Sequence, residues 1–330
     1  MDMSILIFVV QQMMCFSIPL LIVALGGMFS ERSGVVNIAL EGIMVMGAFV
    51  GVVFLYFVQG IGGDGSSSMP AQLMLIIALI IAAVCGAIIS IPHAYAAVQM
   101  KANQVISGTA INMFTPAFAI YIARMITPSK VQHILFNPNN IFYIDSVPLL
   151  GKIPIIGPLF FQKTFITTFL GIIILVVSWI VLYKTPFGLR LRACGEHPQA
   201  ADSVGINVYK MRYIGVMLSG ALGGIGGLVF VIPNTSTFDA SVAGYGFLAL
   251  AVLIFGQWKP GRILLAAFFF GLMKTISSVY TSIPLLNNLG IPGEIYKMIP
   301  YVATLVVLAF TSRNSMAPKA SGVPYDKGSR

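Results

Sequence analysis

The fold is decided by the stretch TFITTFLGIIILVVSWIVLYK, residues 164–184, together with the polar stretch TPFGLRLRACGEHPQAADSVGINVYKMR that follows it over residues 185–212. The first stretch matches the ~20 mostly apolar residues that an α-helix needs to cross a bilayer. The second is the one long, charged segment between apolar runs. This alternation predicts a membrane protein whose helical spans are joined by polar segments.

Composition supports the same class along the whole chain. Hydrophobic residues make up 58% of the sequence and charged residues 9%, whereas a soluble domain carries about 25% charged residues. Nine spans are predicted, and they cover 5–29, 35–59, 71–98, 104–124, 164–184, 212–232, 244–256, 263–281 and 291–312. The predicted fold class is an all-α, polytopic membrane protein.

One predicted span and the C-terminal tail differ from the other segments. The seventh span, 244–256, is short and is expected to be tilted, broken or re-entrant. Residues 1–312 form the predicted transmembrane domain, and residues 313–330 form a polar tail without apolar periodicity, which predicts disorder.

The basic residues predict the orientation of the spans. With the 184–212 loop placed in the cytoplasm, the N-terminus lies outside and the C-terminus inside. Thirteen basic residues then lie inside, namely Arg32, Lys101, Lys184, Arg190, Arg192, Lys210, Arg212, Lys259, Arg262, Arg313, Lys319, Lys327 and Arg330. Five lie outside, namely Arg124, Lys130, Lys152, Lys163 and Lys297. This asymmetry follows the positive-inside rule, so the net charge of +9 reflects topology and not nucleic-acid binding.

A short helix with both ends marked is predicted inside the 184–212 loop. Pro198 suits a first helical position, and Gly205 can adopt the left-handed conformation that ends a helix. Ala200, Ala201 and Val204 then share one face. Because so short a helix is unstable alone in water, we expect it to dock, which makes it a candidate attachment point for a soluble partner.

Polar residues at membrane depth are the candidate pathway residues, since burying them is costly. Asn37 and Glu41 are four residues apart and share a helix face. Glu41 has two interpretations. It forms a structural bond to a backbone N–H or to Arg32 that locks a helix junction, which is the favoured interpretation, or it lines a transport route.

Two further segments add candidates. Asn112 and Thr115 belong to a polar seam that can hydrogen-bond between helices or face a water-filled pathway; the odds are even for Asn112 and favour the structural role for Thr115. Phe238 and Tyr245 lie in a polar-aromatic turn at the predicted outer end of a span, where rings can stack on a nucleobase or belong to an ordinary interfacial belt.

Enzymatic chemistry finds no support in the sequence. No G-x-x-x-x-G-K-[S/T] phosphate loop is present, so any ATP must be bound by another polypeptide. His93, His133 and His197 are scattered, and the three cysteines suggest neither a disulfide nor a metal site. We predict no catalytic residue, no metal site and no cofactor in this chain.

Three motifs together resemble one family. They are ALGGMFSERSGVVNIALEG at residues 24–42, GLRLRACGEHPQAADSVGIN at residues 188–207 and GYGFLALAVLIFGQWKPGR at residues 244–262. They are similar to motifs of ABC-importer permeases in the branched-chain amino acid, ribose and nucleoside group, and the second resembles that group's cytoplasmic coupling segment. The sequence of the first motif most resembles the corresponding motif in the shorter permease subunit of bacterial nucleoside importers.

The resemblance implies a function and a set of partners. It implies purine nucleoside uptake by alternating access, with a paralogous permease in a heterodimer, a cytoplasmic ABC ATPase that binds ATP and Mg²⁺, and a substrate-delivering lipoprotein of the basic-membrane-protein type. It also implies that five residues of the loop couple the permease to the ATPase: Glu196, Ala200, Ala201, Asp202 and Gly205.

Three alternatives remain open at this point. The same machine could carry a simple sugar such as ribose or a branched-chain amino acid. A stand-alone secondary transporter or channel is disfavoured, because Glu41 is the only clear intramembrane acid and the 196–205 helix would have no partner. A membrane enzyme lacks a catalytic constellation.

Overall fold

The computed structural model describes residues 3–60, 69–128, 130–137, 142–148, 150–154, 156–282, 292–311 and 316–328, and the described chain is mostly helical. Its α-helices are α1 (Met3–Ser33), α2 (Leu40–Val58), α3 (Ala71–Val98), α4 (Gln104–Ile126), α5 (Ile166–Lys184), α6 (Pro186–Glu196), α7 (Pro198–Ser203), α8 (Val208–Asn234), α9 (Tyr245–Phe255), α10 (Pro260–Val279) and α11 (Gly293–Thr311). Short 3₁₀ turns cover Leu150–Lys152 and Tyr280–Ser282, and a single π-helical turn covers Gly157–Phe161.

Seven of the described helices are long and apolar enough to cross a membrane. They are α1 to α5, α8, and α10 with the turn that follows it. Each coincides with a predicted span, although α1 and α8 extend several residues beyond theirs. The predicted seventh span corresponds to α9, whose 11 residues reach only about 16 Å. That is about half of the hydrocarbon thickness, so α9 is a half-length helix.

Helix α8 lies at the centre of the bundle and packs against α1, α2 and α3. Its small residues allow this close approach. A Cβ atom at Gly224 would collide with the carbonyl of Ala82 in α3, and one at Gly227 would collide with the carbonyl of Met44 in α2. The glycine-rich sequence of α8 is therefore a helix-packing surface, as small residues in membrane helices often are.

Polar side chains fix where several helices begin. The Asn103 side chain accepts hydrogen bonds from the backbone N–H groups of Val105 and Ile106 at the start of α4. The Asn207 side chain accepts one from Lys210 at the start of α8. Both are N-caps, which satisfy backbone donors that have no partner within the helix. These caps set the two helix boundaries.

Two short ribbons modify the predicted all-α class. Strand β1 (Ile134–Leu135) pairs antiparallel with β4 (Thr237–Phe238), and β2 (Tyr143–Ser146) pairs antiparallel with β3 (Gln162–Phe165). No strand was predicted, because runs of two to four residues carry no readable alternation. The β1–β4 pair places the loop after α4 and the loop after α8 on the same side of the bundle.

The polar tail is ordered over residues 316–328, contrary to the prediction of disorder; residues 313–315 and 329–330 lie outside the described residues. The N–H of Ala320 donates to the carbonyl of Gly195 at 2.8 Å, and the N–H of Gly322 donates to the carbonyl of Gly34 at 3.2 Å. Tyr325 is buried. The tail is held through its backbone, which requires no apolar periodicity, and it lies on the same side of the bundle as the 184–212 loop.

Candidate functional site

The loop of residues 185–207 folds into two consecutive short helices, α6 and α7. The hydroxyl of Thr185 accepts a hydrogen bond from the N–H of Gly188 at the start of α6. Pro198 occupies the first turn of α7, as predicted. At its end, Gly205 has φ of +84°, while its N–H donates to Asp202 and the N–H of Ile206 donates to Ala201. This pair of bonds is a Schellman motif, so the predicted ends of the short helix are confirmed.

The five predicted coupling residues occupy different environments. Ala201 is buried against this chain, whereas Ala200 and Gly205 are exposed. Asp202 forms an ion pair with Lys327, with 3.9 Å between Oδ1 and Nζ. Glu196 pairs with Arg32 and also accepts a backbone hydrogen bond. The shared face expected of Ala200, Ala201 and Val204 is therefore divided, with only Ala201 packed inward.

Two large apolar side chains of the α6–α7 segment are exposed. Val204 is 74% exposed and Leu189 is 63% exposed, while Arg190 lies exposed beside Leu189. Contiguous apolar patches rimmed by polar residues often mark surfaces that contact other proteins. These residues, with Ala200 and Gly205, form what we call the α7 surface.

A chain of polar contacts leads inward from the α7 surface. The Arg32 guanidinium lies 3.5 Å from the Glu196 carboxylate and donates to the Trp258 carbonyl at 3.2 Å. The indole N–H of Trp258 donates to the Glu31 carboxylate at 2.6 Å, and this bond is buried. Trp258 lies between α9 and α10. The end of α6 is thus connected, through α1, to the turn that follows the half-length helix.

The other end of α9 is capped by Glu41. The carboxylate accepts hydrogen bonds from the N–H of Gly244 at 2.9 Å and from the N–H of Gly246 at 2.6 Å. A negative charge is favourable at a helix N-terminus, where N–H groups have no partner within the helix. Glu41 therefore makes the structural bond to backbone N–H groups that the sequence favoured, and its role in a pathway stays a prediction.

Strained backbone occurs at both ends of α9. Ala240 and Ala243 before the helix, and Gln257 and Trp258 after it, have positive φ values between 52° and 58°. Such conformations cost non-glycine residues roughly 1–2 kcal/mol each. They persist only where the surrounding contacts determine them, so the position of α9 is imposed by its neighbours.

Asn37, Asn112 and Thr115 converge with Glu41 at the start of α2. The side chain of Asn112 accepts from the N–H of Gly42 at 2.7 Å and donates to the carbonyl of Ile38 at 2.9 Å. Asn37 is fully buried and donates to the hydroxyl of Ser219 at 2.9 Å. Thr115 is buried and bonds within its own helix. The start of α2 is a polar junction that joins α4, α8 and α9.

The two predicted aromatic residues are separated in the structure. Tyr245 begins α9, is buried, and packs its ring 4.0 Å from that of Phe230. Phe238 is buried in β4 opposite Ile134. A groove of about 380 Å³ lies beside α9, with Gly244 and Tyr301 among its lining residues. Tyr245 therefore belongs to the region around α9, whereas Phe238 stabilises a ribbon.

Several residues of this arrangement were not predicted from the sequence. Trp258 lies within the motif at residues 244–262, but no contact was predicted for it, and the ordered tail carried no recognisable signal. Arg212 is fully buried, and its guanidinium donates to the Val323 carbonyl at 3.0 Å. The sequence gives only one sign of this contact, which is that Arg212 stands next to an apolar run. A buried guanidinium there needs a hydrogen-bond acceptor from another part of the chain.

Metal binding finds no support in the described part of the chain, where no group of three or more His, Cys, Asp or Glu residues could hold an ion.

Comparisons with known proteins agree on one family. The family model described as "Branched-chain amino acid transport system / permease component" matches residues 9–308. The sequence is 44% identical to the guanosine ABC transporter permease protein NupQ of Bacillus subtilis, over 99% of each chain. It is 42% identical to the nucleoside ABC transporter permease protein NupC of Lactococcus lactis, over 97% of this chain and 96% of that one.

A solved structure shares the fold at low sequence identity. It is described as "An inward-facing conformation of a putative metal-chelate type ABC transporter", has 15% identity and a TM-score of 0.50, and the match covers 92% of this chain and 85% of that chain. The likeness concerns the fold alone.

Proposed function

This chain belongs to the family of branched-chain amino acid transport system permease components, and from that premise we propose that it is the membrane subunit of an ATP-binding-cassette importer for purine nucleosides. The chain is a multi-pass protein of the cell membrane and a transport component, not an enzyme. The substrate class is supported by the similarity to a guanosine permease and a nucleoside permease, which are 44% and 42% identical to this chain over nearly its whole length.

The proposed topology has nine spans, with the N-terminus outside and the C-terminus inside. It is supported by contacts between loops that this topology places on the same side of the membrane. The tail touches the 184–212 loop through Gly195 and Asp202, and Lys101 pairs with Asp326 of the tail. The β1–β4 ribbon groups the opposite loops. In a variant whose three native cysteines are replaced, a single cysteine introduced at Ser203 should be labelled only from the cytoplasmic side, and one at Ser236 only from outside.

The proposed partners fit the two ends of the bundle. A cytoplasmic ATPase, which binds and hydrolyses ATP with Mg²⁺, contacts the α7 surface. An extracytoplasmic binding lipoprotein delivers the nucleoside to the opposite side, and a paralogous permease completes a heterodimer. The exposed Val204 and Leu189 support a protein contact at the α7 surface, because nothing in the described chain covers them.

The proposed mechanism is alternating access transmitted through α9. Glu196, Ala200, Ala201, Asp202 and Gly205 form the coupling segment. Movement of this segment reaches Trp258 through Glu196 and Arg32, and Trp258 adjoins one end of α9. The other end of α9 is fixed to α2 by Glu41. A displacement of α6 would therefore tilt or shift α9 within the bundle.

The candidate pathway follows from this geometry. Asn37, Glu41, Asn112, Thr115 and Tyr245 lie at or next to the junction that such a movement would disturb. Phe238 is the weakest of the six predicted pathway residues, because its side chain is buried in the β1–β4 ribbon.

Reconstitution tests the substrate class directly. The complete importer in lipid vesicles should show ATPase stimulation and uptake with binding protein loaded with guanosine or adenosine. Ribose, glucose and leucine should give neither. Stimulation by ribose without stimulation by guanosine or adenosine would replace the proposal with the sugar alternative, and uptake without any ATPase subunit would favour a secondary transporter.

A further inference from the structure

A lysine without an acidic partner lies inside the span formed by α10. Lys274 follows the apolar run ILLAAFFFGLM. It is half-buried, and no hydrogen bond or ion pair is found for its ammonium group among the described residues. Its Nζ lies 5.9 Å from the centre of the Tyr245 ring. That cation–π contact attracts the charge, but it leaves three N–H donors without an acceptor.

Two further polar groups nearby have no hydrogen-bond partner. The hydroxyl of Tyr245 and the hydroxyl of Ser17 are both buried and unpaired, and each residue is 1% exposed. Ser17 of α1 packs directly against Gly271 of α10. Gly271 and Lys274 are three residues apart and therefore neighbours on one helix face. The three groups belong to one region where α1, α9 and α10 meet.

Two buried hydroxyls without partners and a half-buried ammonium group without an acceptor therefore lie in one region of the described chain. Buried polar groups in proteins are nearly always hydrogen-bonded, because a buried polar group without a hydrogen-bond partner costs free energy. Ionisable residues at membrane depth usually mark substrate or ion routes. The region also adjoins α9, whose ends are connected to the α7 surface and to Glu41. A ligand that supplies the missing acceptors during transport would account for all three groups.

The chemistry of the groups limits the ligand. An ammonium group only donates, so it requires an acceptor edge. A purine such as guanine presents O6 and N7 as two adjacent acceptors, and lysine is a common partner for that edge. Aromatic rings of Phe230 and Phe16 flank Tyr245. A groove of about 380 Å³ lies on the other residues of α9 and is lined by Gly244 next to Tyr245, but not by the three polar residues themselves.

We propose that Lys274, Tyr245 and Ser17 form an intramembrane subsite that contacts the O6 and N7 edge of a 6-oxopurine nucleoside, such as guanosine, during its passage. This inference rests on the proposed function and adds specificity-determining residues to it. The subsite makes the permease itself selective, in addition to the binding protein that delivers the substrate.

Substrate analogues test the subsite in the complete importer. Uptake of guanosine is compared with uptake of 7-deazaguanosine, which lacks N7, and of 2-aminopurine riboside, which lacks O6, each delivered at saturating binding protein. We expect wild type to prefer guanosine by about tenfold. Lys274→Met should reduce that ratio to within about twofold by lowering guanosine uptake alone, and Lys274→Arg should retain most of the preference.

Matched variants separate the subsite from general effects. Lys297→Met removes an exposed lysine of α11 and should leave the ratio unchanged. Tyr245→Phe keeps the ring and removes the unpaired hydroxyl, so it should lower the ratio by a smaller factor. Because the binding protein is the same in every assay, a change of ratio between variants reports on the permease.

Three results would overturn the subsite. They are an unchanged ratio in Lys274→Met, an equal loss of guanosine and analogue uptake, and the absence of any preference in wild type. Equal loss would mean that Lys274 anchors α10 to lipid headgroups or to its neighbours. A wild-type importer that takes up no nucleoside at all would instead refute the proposed function, so the two failures are distinguishable.

Discussion

Arg32 and Glu196 form an ion pair, with 3.5 Å between Nη1 and Oε1, that joins the C-terminal end of α1 to the end of α6. The same guanidinium donates to the carbonyl of Trp258. One side chain thus contacts both the proposed coupling segment and the turn between α9 and α10. This is the most direct physical connection between the α7 surface and the half-length helix in the described residues.

Removing this connection should uncouple ATP hydrolysis from transport. For Arg32→Gln we expect nucleoside uptake per ATP hydrolysed to fall by roughly three- to tenfold, while thermal stability changes little, because partly exposed ion pairs contribute only about 0–1 kcal/mol. The measurement is the ratio of uptake to ATPase rate in vesicles. Arg190→Gln is the control, since Arg190 is exposed on α6 and has no ion pair in the described chain. An unchanged ratio in Arg32→Gln would remove the connection from the mechanism.

The left-handed conformation of Gly205 predicts a difference between two substitutions. Leucine at φ +84° is strained by about 1–2 kcal/mol, whereas asparagine tolerates this conformation. No atom lies within 4 Å of a Cβ built there, so crowding would not obscure the comparison. Gly205→Leu should abolish ATPase-coupled uptake and Gly205→Asn should retain most of it, with membrane insertion intact in both. Equal uptake by the two variants would contradict the role of this turn.

Two adjacent alanines should behave oppositely. Ala200 is exposed and Ala201 is buried. Ala200→Arg should leave the melting temperature of the purified permease unchanged but weaken ATPase binding at least tenfold, because it alters only the α7 surface. Ala201→Arg should lower the melting temperature, since a buried alanine cannot be enlarged without displacing its neighbours. Affinity purification with the ATPase subunit measures the first effect, and normal co-purification of Ala200→Arg would move the docking surface elsewhere.

Loss of the Glu41 carboxylate should destabilise the start of α9. Hydrogen bonds to charged groups contribute about 1.5–3 kcal/mol each, and Glu41 makes two to the backbone. Glu41→Ala should therefore lower the melting temperature in detergent by several degrees and reduce uptake. Glu41→Gln, which keeps an acceptor, should have a smaller effect. Glu294→Ala, at an exposed position of α11, serves as the control, and equal effects at the two sites would contradict the capping role.

The ordered tail should respond to acid. Lys101, 2.9 Å from the Asp326 carboxylate, lowers the pKa of that carboxyl below its ordinary value of 3.8. The folded-state pKa is therefore lower than the unfolded one. The contribution to docking is complete above the unfolded pKa and is lost as the pH falls through the folded value. Pepsin cleavage of the tail should accelerate below about pH 4, with a smaller acceleration in Asp326→Asn. An equal acceleration in both proteins would exclude the pair as the cause.

Much of the helical architecture could be predicted from the sequence, because the bilayer imposes a length and a composition on each span. The boundaries of α3 and the ends of α7 were predicted from local chemistry alone, and Pro198 and Gly205 occupy the positions expected of them. The family was predicted from three local motifs, and the comparisons confirm it. These features depend on neighbouring residues or on the solvent, both of which the sequence represents directly.

The contacts that organise the candidate site were not readable in the same way. Glu41 is 203 residues from Gly244, and Arg32 is 164 residues from Glu196. The sequence left open whether Glu41 bonds to backbone or lines a route, and it predicted disorder for a tail that the structure holds on the Gly195 carbonyl. Such pairings arise only when distant helices pack together.

The sequence by itself determined that the chain is a multi-span helical protein, which residues form most spans, where the short capped helix of the polar loop begins and ends, and which family it belongs to. Only the tertiary structure decided that α9 is held between Glu41 and Trp258, that the tail is hydrogen-bonded to Gly34 and Gly195, and that Lys274 lies over the Tyr245 ring in a region with two unpaired hydroxyls. The reason is physical: span length and helix caps are local properties, whereas long-range hydrogen bonds between helices depend on a packing that no local pattern specifies.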